Sequence, residues 1–148
     1  MASTPDLGEQ ALQLDHQLCF ALYSASLAMT KLYKPLLEPL GLTYPQYLAM
    51  MVLWEQDGPM VSTLGDRLRL DSGTLTPLLK RLEAAGLVQR ERAVEDERRV
   101  HVHLTPAGRD LKARALSVPA CVFQATQCTL AEISELTQQV RTLRDRIA

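Results

Sequence analysis

The chain has 148 residues, of which 47% are hydrophobic, and a formal net charge of −1. This length and composition predict one globular domain with its own core and exclude a second independent domain. No apolar run reaches the roughly 18 residues of a membrane-spanning helix, and the first residues lack the layout of a signal peptide, so we expect a cytoplasmic protein without membrane contact.

The first half of the chain is predicted to be helical. Helical spacing of apolar residues predicts helices over residues 15–33, 47–56, 61–69 and 72–85. The prolines at positions 35 and 39 are expected to interrupt the first helix, and Thr43 to Gln46 form a capping box before the second. Either Asp71 or Ser72 can cap the fourth helix.

A β-hairpin and two further helices are predicted in the second half. Residues 87–92 and 98–104 flank a charged turn, and the return strand alternates polar residues with Val100, Val102 and Leu104. Thr105 and Pro106 begin a helix that is disturbed near Pro119. A second capping box at Thr129 begins a final helix that ends at Ile147.

The order of these elements predicts a winged helix-turn-helix in a mainly α (α+β) fold. Residues 1–58 contain two lysines against six acidic residues, whereas residues 59–114 contain eleven Lys and Arg against eight acidic residues. The middle of the chain can therefore face phosphates although the total charge is close to zero.

The second short helix is the predicted recognition helix in the major groove. Its leucines at positions 75, 78, 79 and 82 can face the core, which leaves small polar and basic side chains outside. Hydroxyls there can contact bases or phosphates, and the basic residues can contact phosphates. The candidate DNA contacts on this helix are Ser72, Gly73, Thr74, Thr76, Pro77, Lys80 and Arg81.

The charged hairpin is the predicted wing. Asp96 and Arg98 lie two residues apart and would point to one side of an extended strand, so that the carboxylate could orient the guanidinium for the minor groove. An ordinary surface ion pair is the alternative. Arg90, Arg92 and Arg99 could add contacts to the DNA backbone.

Three cysteines, Cys19, Cys121 and Cys128, include no CxxC pair and are expected to be thiols in a reducing compartment. Cys19 lies on the first helix with Tyr23 one turn later, and all four tyrosines, at positions 23, 33, 44 and 47, follow it within about thirty residues. Because a thiolate attacks a peroxide O–O bond, tyrosine hydroxyls that stabilise the anion would make Cys19 reactive. Apolar neighbours such as Phe20 and Met51 favour an organic hydroperoxide over hydrogen peroxide.

The chain resembles the MarR family of dimeric regulators, and within it the organic hydroperoxide resistance branch, over nearly its whole length. The matching runs are residues 17–23, 29–37, 42–48, 71–81 and 96–98. The resemblance implies a single domain in which residues of about 10–57 and 106–148 form dimerisation helices and about 59–105 form the winged lobe. It further implies that Tyr33 and Tyr44 reach Cys19 from the partner subunit, with Tyr23 as an additional candidate.

The same resemblance is to the two-cysteine subgroup, in which oxidised Cys19 forms a disulfide with a C-terminal cysteine of the other subunit. Cys121 is slightly favoured. Cys128 also qualifies, because it precedes a capped helix and would share a face with Cys121 if the local helix continues. The implied function is a non-enzymatic repressor that releases a pseudo-palindromic operator on oxidation and needs no cofactor and no metal.

Three alternatives remain at this point. A small phenolic ligand could release the DNA while Cys19 has no role. A peroxide-reducing enzyme could use Cys19 and a resolving thiol, although the winged helix-turn-helix would then have no purpose. Zinc sensing through His16, His101 and His103 with a cysteine is disfavoured, because no cluster has the spacing of metal ligands.

Overall fold

A computed structural model describes residues 3–148, and its secondary structure is mainly helical with one hairpin. The elements in this range are α1 (Leu18–Leu37), α2 (Tyr44–Glu55), α3 (Val61–Leu68), α4 (Ser72–Ala84), β1 (Val88–Arg92), β2 (Val100–Leu104), α5 (Pro106–Ala115), α6 (Val118–Thr126) and α7 (Leu130–Ile147). Short 3-10 turns precede and follow α1. The predicted winged helix-turn-helix is confirmed.

The predicted bounds of two helices are wrong, and the first of these helices begins at Leu18 and not at residue 15. The first helix passes through Pro35 and ends at Leu37, because a proline in the last turn removes one backbone hydrogen bond without stopping a helix that is about to end. The helix expected to be disturbed near Pro119 is two helices, α5 and α6. Pro119 lies in the first turn of α6, where its missing N–H has no helical partner to lose.

Side-chain caps fix the starts of the helices that surround the hairpin. The capping box at Thr43 is complete, since its hydroxyl accepts from the Gln46 N–H and its own N–H donates to the Gln46 side chain. Asp71 accepts from the Thr74 N–H at 2.8 Å, and these hydrogen bonds lower the pKa of its carboxyl. Thr105 caps α5 by accepting from the Gly108 N–H.

The hydrophobic core lies in the middle of the chain. Met50 and Leu53 of α2 pack with leucines of α3 and α4 and with Val88 and Val102 of the hairpin, all at 2% exposure or less. In contrast, Leu37 is the single buried residue of α1, and α7 has none. Within residues 3–148, none of the helices is long and apolar enough to cross a membrane.

Close contacts join α2 to α5 and to β2. The Trp54 Nε1 donates to the carbonyl of Gly108 at 2.9 Å, and a Cβ at Gly108 would lie 2.1 Å from the Leu87 carbonyl oxygen, so only glycine allows this approach. The Asp57 carboxylate accepts from the Leu104 N–H at 2.8 Å. These contacts hold the hairpin in a fixed position against α2.

The hairpin strands are antiparallel, with Val88 opposite Leu104. Val102 and Leu104 are buried as the predicted alternation requires. His101 and His103, expected to face outward, are half-buried instead. A short backbone bridge between Met60 and His101 runs along the free edge of β2, where the Val102 N–H donates to the Pro59 carbonyl at 2.9 Å. The same segment brings the Gly58 carbonyl to 3.0 Å from the His101 Nδ1.

Candidate nucleic-acid interface and thiol site

The helix α4 presents a polar face to solvent and an apolar face to the core. The buried leucines are those predicted, Leu75, Leu78, Leu79 and Leu82. Asp71 caps the helix, which resolves the choice between the two candidate caps. Among the candidate DNA contacts, Thr76 is half-buried and the rest are exposed, namely Ser72, Gly73, Thr74, Pro77, Lys80 and Arg81.

The exposed face of α4 has groups that can contact DNA bases and groups that can contact phosphates. Hydroxyls and backbone lie near its N-terminal end, and Pro77 leaves the Gly73 carbonyl without its helical donor. Lys80 and Arg81 follow one turn later and make no ion pair with any acidic residue in the described part of the chain. The helix can therefore approach a groove with its first turns and hold phosphates with its second half.

Asp96 orients Arg98, but not by the predicted geometry. The two residues lie in the turn between β1 and β2 and not on an extended strand. The Asp96 carboxylate accepts from the backbone N–H of Arg98 at 3.0 Å and from its Nε at 3.3 Å. The side chain of Arg98 is 92% exposed. A single carboxylate thus fixes both the turn and the direction in which the guanidinium leaves it.

Arg90, a predicted contact to the DNA backbone, is half-buried and paired with Glu83. Its Nε and Nη2 donate to the Glu83 carboxylate at 3.2 and 3.3 Å, and its backbone N–H donates to the same group at 3.0 Å. These bonds lower the pKa of the Glu83 carboxyl, with the side-chain hydrogen bond from Arg90 as the main cause. The pair joins α4 to β1 and neutralises Arg90. Arg92 is exposed and its guanidinium lies 3.5 Å from the Glu97 carbonyl.

Glu83 was missed by the sequence reasoning. It lies at the end of α4 and pairs with Arg90 on β1, and because a turn separates the two elements, the period of neither one predicts the contact. An acidic residue near the end of a helix also opposes the preferred charge there, which is the one signal that could have indicated a specific partner.

Cys19 lies in the first turn of α1 and is exposed within a single chain. Tyr23 lies one turn later and is 63% exposed. Tyr33 follows Cys19 by fourteen residues on the same helix, which corresponds to about 21 Å at 1.5 Å per residue. Tyr33 therefore cannot contact Cys19 of its own chain.

Tyr33 and Tyr44 form one aromatic cluster with Tyr47. The ring centroids of Tyr33 and Tyr44 are 4.6 Å apart, and those of Tyr33 and Tyr47 are 5.9 Å apart. Burial, followed by the two neighbouring phenols, raises the pKa of Tyr33 to about 12. Its hydroxyl therefore remains protonated at neutral pH and can donate a hydrogen bond to an anion.

The tyrosine pair borders an open apolar groove between α1, α6 and α7. Its wall includes Met29, Val122, Phe123 and Val140, next to the rings of Tyr33 and Tyr44. Several of these apolar side chains are exposed in the single chain. The groove can therefore receive an apolar segment of another molecule beside two phenol hydroxyls.

The two remaining thiols lie on α6 and in the turn that follows it. Cys121 is exposed on α6, whereas Cys128 is half-buried in the turn before α7, with its Sγ 3.4 Å from the Thr126 carbonyl. The helix ends at Thr126 and Gln127 is left-handed, so the two cysteines do not share a continuous helical face as the sequence reasoning had allowed.

The histidines considered for zinc have other contacts. The His101 Nδ1 lies 3.0 Å from the Gly58 carbonyl, and His103 lies 3.5 Å from the Glu91 carboxylate. Over residues 3–148, no three His, Cys, Asp or Glu side chains come together in a group that could hold a metal ion.

The known proteins to which this chain is similar are transcriptional regulators. The family profile of SarA/Rot transcriptional regulators matches residues 31–115. The organic hydroperoxide resistance transcriptional regulator of Bacillus subtilis is 45% identical over 92% of this chain and 92% of its own. The helix-turn-helix regulator TtmR of Methylorubrum extorquens is 50% identical over 90% of this chain and 69% of its own.

Solved structures of AbfR from Staphylococcus epidermidis are also similar. Reduced AbfR bound to DNA superposes with a TM-score of 0.79 at 30% identity, covering 95% of this chain and 97% of that one. The disulfide form of AbfR gives a TM-score of 0.61 at 36% identity, covering 91% and 95%. The winged fold and a high share of identical residues thus occur together in the same relatives.

Proposed function

This chain belongs to the MarR family of DNA-binding transcriptional regulators, in its organic hydroperoxide resistance branch, and on that premise we propose that it is a homodimeric repressor that senses organic hydroperoxides through Cys19. Oxidation of Cys19 and a disulfide between subunits release the operator and derepress a gene for peroxide detoxification. The observation that carries the sensing role is the Tyr33–Tyr44 pair beside an open apolar groove, about 21 Å along α1 from the thiol of the same chain.

A second subunit brings these groups together in the proposal. The exposed apolar side chains of α1 and α7 include Leu18, Leu27, Leu136 and Val140. A two-fold interface formed by these helices would bury them and would bring the start of one α1 to the far end of the other. Cys19 of each subunit then lies beside Tyr33 and Tyr44 of its partner, so a dimer has two sensing sites.

The chemistry of each site begins with the Cys19 thiolate. The sulfur attacks one peroxide oxygen of the hydroperoxide, the O–O bond breaks, and the alkoxide leaves as an alcohol after taking a proton. Tyr33, whose hydroxyl stays protonated, donates a hydrogen bond to the thiolate and then to the sulfenic acid. The apolar groove favours a hydroperoxide with an organic tail.

The sulfenic acid is then resolved by a second thiol. Attack of that thiol on the Cys19 sulfur forms the S–S bond and releases water. We assign this role to Cys121 before Cys128, because Cys121 is exposed on α6 whereas Cys128 is half-buried in its turn. The disulfide would rotate the winged lobes so that two recognition helices no longer match half-sites one helical turn apart.

Operator binding in the presence and absence of cumene hydroperoxide tests this function. The duplex is selected by the reduced wild-type protein from a random-sequence library. We expect peroxide to release the wild type and not Cys19→Ser, and we expect non-reducing gels to show a cross-linked dimer that Cys121→Ser lacks. Release of Cys19→Ser by peroxide would contradict the proposal, and a cross-link that Cys128→Ser lacks would move the resolving role to Cys128.

A second candidate is release by a small aromatic ligand. It is favoured by a pocket between α2, α5 and α6, which is lined by Tyr47, Met51 and Trp54 and by two charged residues. These are Lys112 and Glu55, and the Glu55 carboxylate is paired with Arg67. An aromatic acid could place its ring on Trp54 and its carboxylate on Lys112. Under this candidate Cys19→Ser would respond as fully as the wild type, and Lys112→Ala would not respond.

A further inference from the structure

A cleft opens between the starts of α3 and α4 and the wing, with mainly apolar walls and several polar side chains. Its polar side chains come from three elements, with Ser62 on α3, Ser72 and Thr76 on α4, and Arg98 and Arg99 on the wing turn. Hydroxyls and guanidinium groups that converge on one space can bind an anion. The cleft therefore has hydrogen-bond donors for a phosphate, although its walls, like those of the groove beside Tyr33, are mainly apolar.

Of the three arginines that line the cleft, one has the weakest ion pair with an acidic residue. Arg90 also lines the cleft, but its guanidinium is held by Glu83 at 3.2 and 3.3 Å. The Arg98 Nε lies 3.3 Å from one oxygen of Asp96, whereas the Arg99 Nε is 4.0 Å from the other. Three guanidinium groups thus face two carboxylates. The surplus positive charge belongs to Arg99, whose side chain is 64% exposed.

The path of a bound duplex leads through this cleft. If α4 enters the major groove and Arg98 enters the neighbouring minor groove, one sugar-phosphate strand separates the two grooves and must cross between the helix and the wing. We propose that a backbone phosphate of this strand sits in the cleft, held by the hydroxyl of Ser62 and the guanidinium of Arg99. This inference rests on the DNA-binding role proposed above.

Such a phosphate would set the register of the protein on DNA. It would tie the DNA strand to α3 on one side and to the wing turn on the other, because its ligands come from these two elements. A phosphate contact carries no base information, so its loss weakens binding to every duplex by the same factor. Ser62 has no distinguishing signal in the sequence, because Thr63 next to it is equally polar and equally exposed.

Ser62 and Thr63 provide a matched pair of substitutions. Both residues lie in the first turn of α3, where an aspartate favours the helix, but Ser62 lines the cleft and Thr63 does not. We expect Ser62→Asp to weaken binding about tenfold or more, to the selected duplex and to an unrelated one alike, since it places an anion against a phosphate within the Debye length of about 8 Å. Thr63→Asp should have a clearly smaller effect.

Salt dependence provides the second measurement. Arg99→Ala should reduce the slope of log K against log salt by about 0.9, the value for one lost phosphate contact. Lys31→Ala, which removes one positive charge from α1, should leave the slope unchanged.

The outcomes separate this inference from the DNA-binding role. Equal effects of Ser62→Asp and Thr63→Asp, an unchanged slope for Arg99→Ala, or a loss confined to the selected duplex would each overturn the phosphate site. Failure of the wild-type protein to bind either duplex would instead overturn the DNA-binding role itself.

Discussion

The central region from α2 to β2 buries its apolar side chains, whereas the helices at the two ends of the chain leave many of theirs exposed. In the central region, Leu64, Leu75 and Val102 are at most 1% exposed. In the end helices, Leu136 and Val140 are 52% and 45% exposed although they follow a helical period. The central region is complete within one chain, whereas the end helices have an apolar face that one chain leaves open.

The comparison also separates two kinds of functional residue. The DNA-facing groups are oriented by contacts within their own chain, as Asp96 orients Arg98 and Glu83 holds Arg90. Cys19 and Tyr33 lie about 21 Å apart along one helix, and in the proposed dimer each thiol meets Tyr33 of the partner subunit. A sensing site formed by two subunits can change the arrangement of those subunits when it reacts. A DNA-binding lobe contained within one chain can then move as a rigid body.

The largest expected effect comes from truncating the central core. Leu75→Ala should lower the free energy of unfolding by about 2–5 kcal/mol, because it opens a cavity at a residue with 1% exposure. Leu136→Ala, at the half-exposed position on α7, should cost clearly less. Urea denaturation at matched protein concentration measures both. Equal losses would show that the end helices are packed as tightly as the central region.

A buried charge should break the proposed dimer. Val140→Asp should weaken dimerisation by at least about tenfold, since an unpaired carboxylate in an apolar interface costs several kcal/mol. Val94→Asp makes the same change at a fully exposed position on the wing turn and should leave the dimer intact. Sedimentation over a range of concentrations distinguishes the two. A Val140→Asp protein that dimerises as the wild type does would place the interface elsewhere.

The Glu83–Arg90 pair should make the wing sensitive to acid. Because the folded pKa of Glu83 is lowered below 4.5, its stabilising effect is present at neutral pH and is lost as the pH falls through the folded value. Glu83→Gln should therefore be less stable than the wild type at pH 7, and the difference should shrink below about pH 4.5. Glu95→Gln, on the exposed turn, serves as the control in urea denaturation. A difference that stays constant with pH would contradict the assigned role of the carboxylate.

Removal of a helix cap should give the smallest difference in stability between the central region and the end helices. Thr105→Ala removes the cap of α5 and the hydroxyl bond to the Gly86 carbonyl, and should cost about 1–2 kcal/mol. Thr129→Ala removes the cap of α7 and a hydroxyl bond to the exposed Glu132 carboxylate, and its effect should be about 1 kcal/mol or less. Amide hydrogen exchange should show the second loss in the first turn of α7 alone. Exchange throughout the central region in Thr129→Ala would show that α7 supports it directly.

Local signals in the sequence were sufficient for most of the fold. The cap at Thr43, the buried leucines of α4 and the alternation in β2 each depend on neighbours within one or two turns, so periodicity and capping rules predicted them. Pro35 was misjudged for a similar reason. A local rule assigns proline as a helix breaker, but its effect depends on how many turns remain after it.

The sequence by itself determined the four helices before the hairpin, the hairpin and the final helix, and it identified Cys19, Tyr33 and Tyr44 as candidates, because residue type and spacing carry that information. The tertiary structure decided which side chains are available. It engaged Arg90 with Glu83, oriented Arg98 through a turn, and placed Ser62 opposite Arg99 across a cleft. These contacts join elements whose relative positions depend on the packing of the whole core, which no local pattern contains.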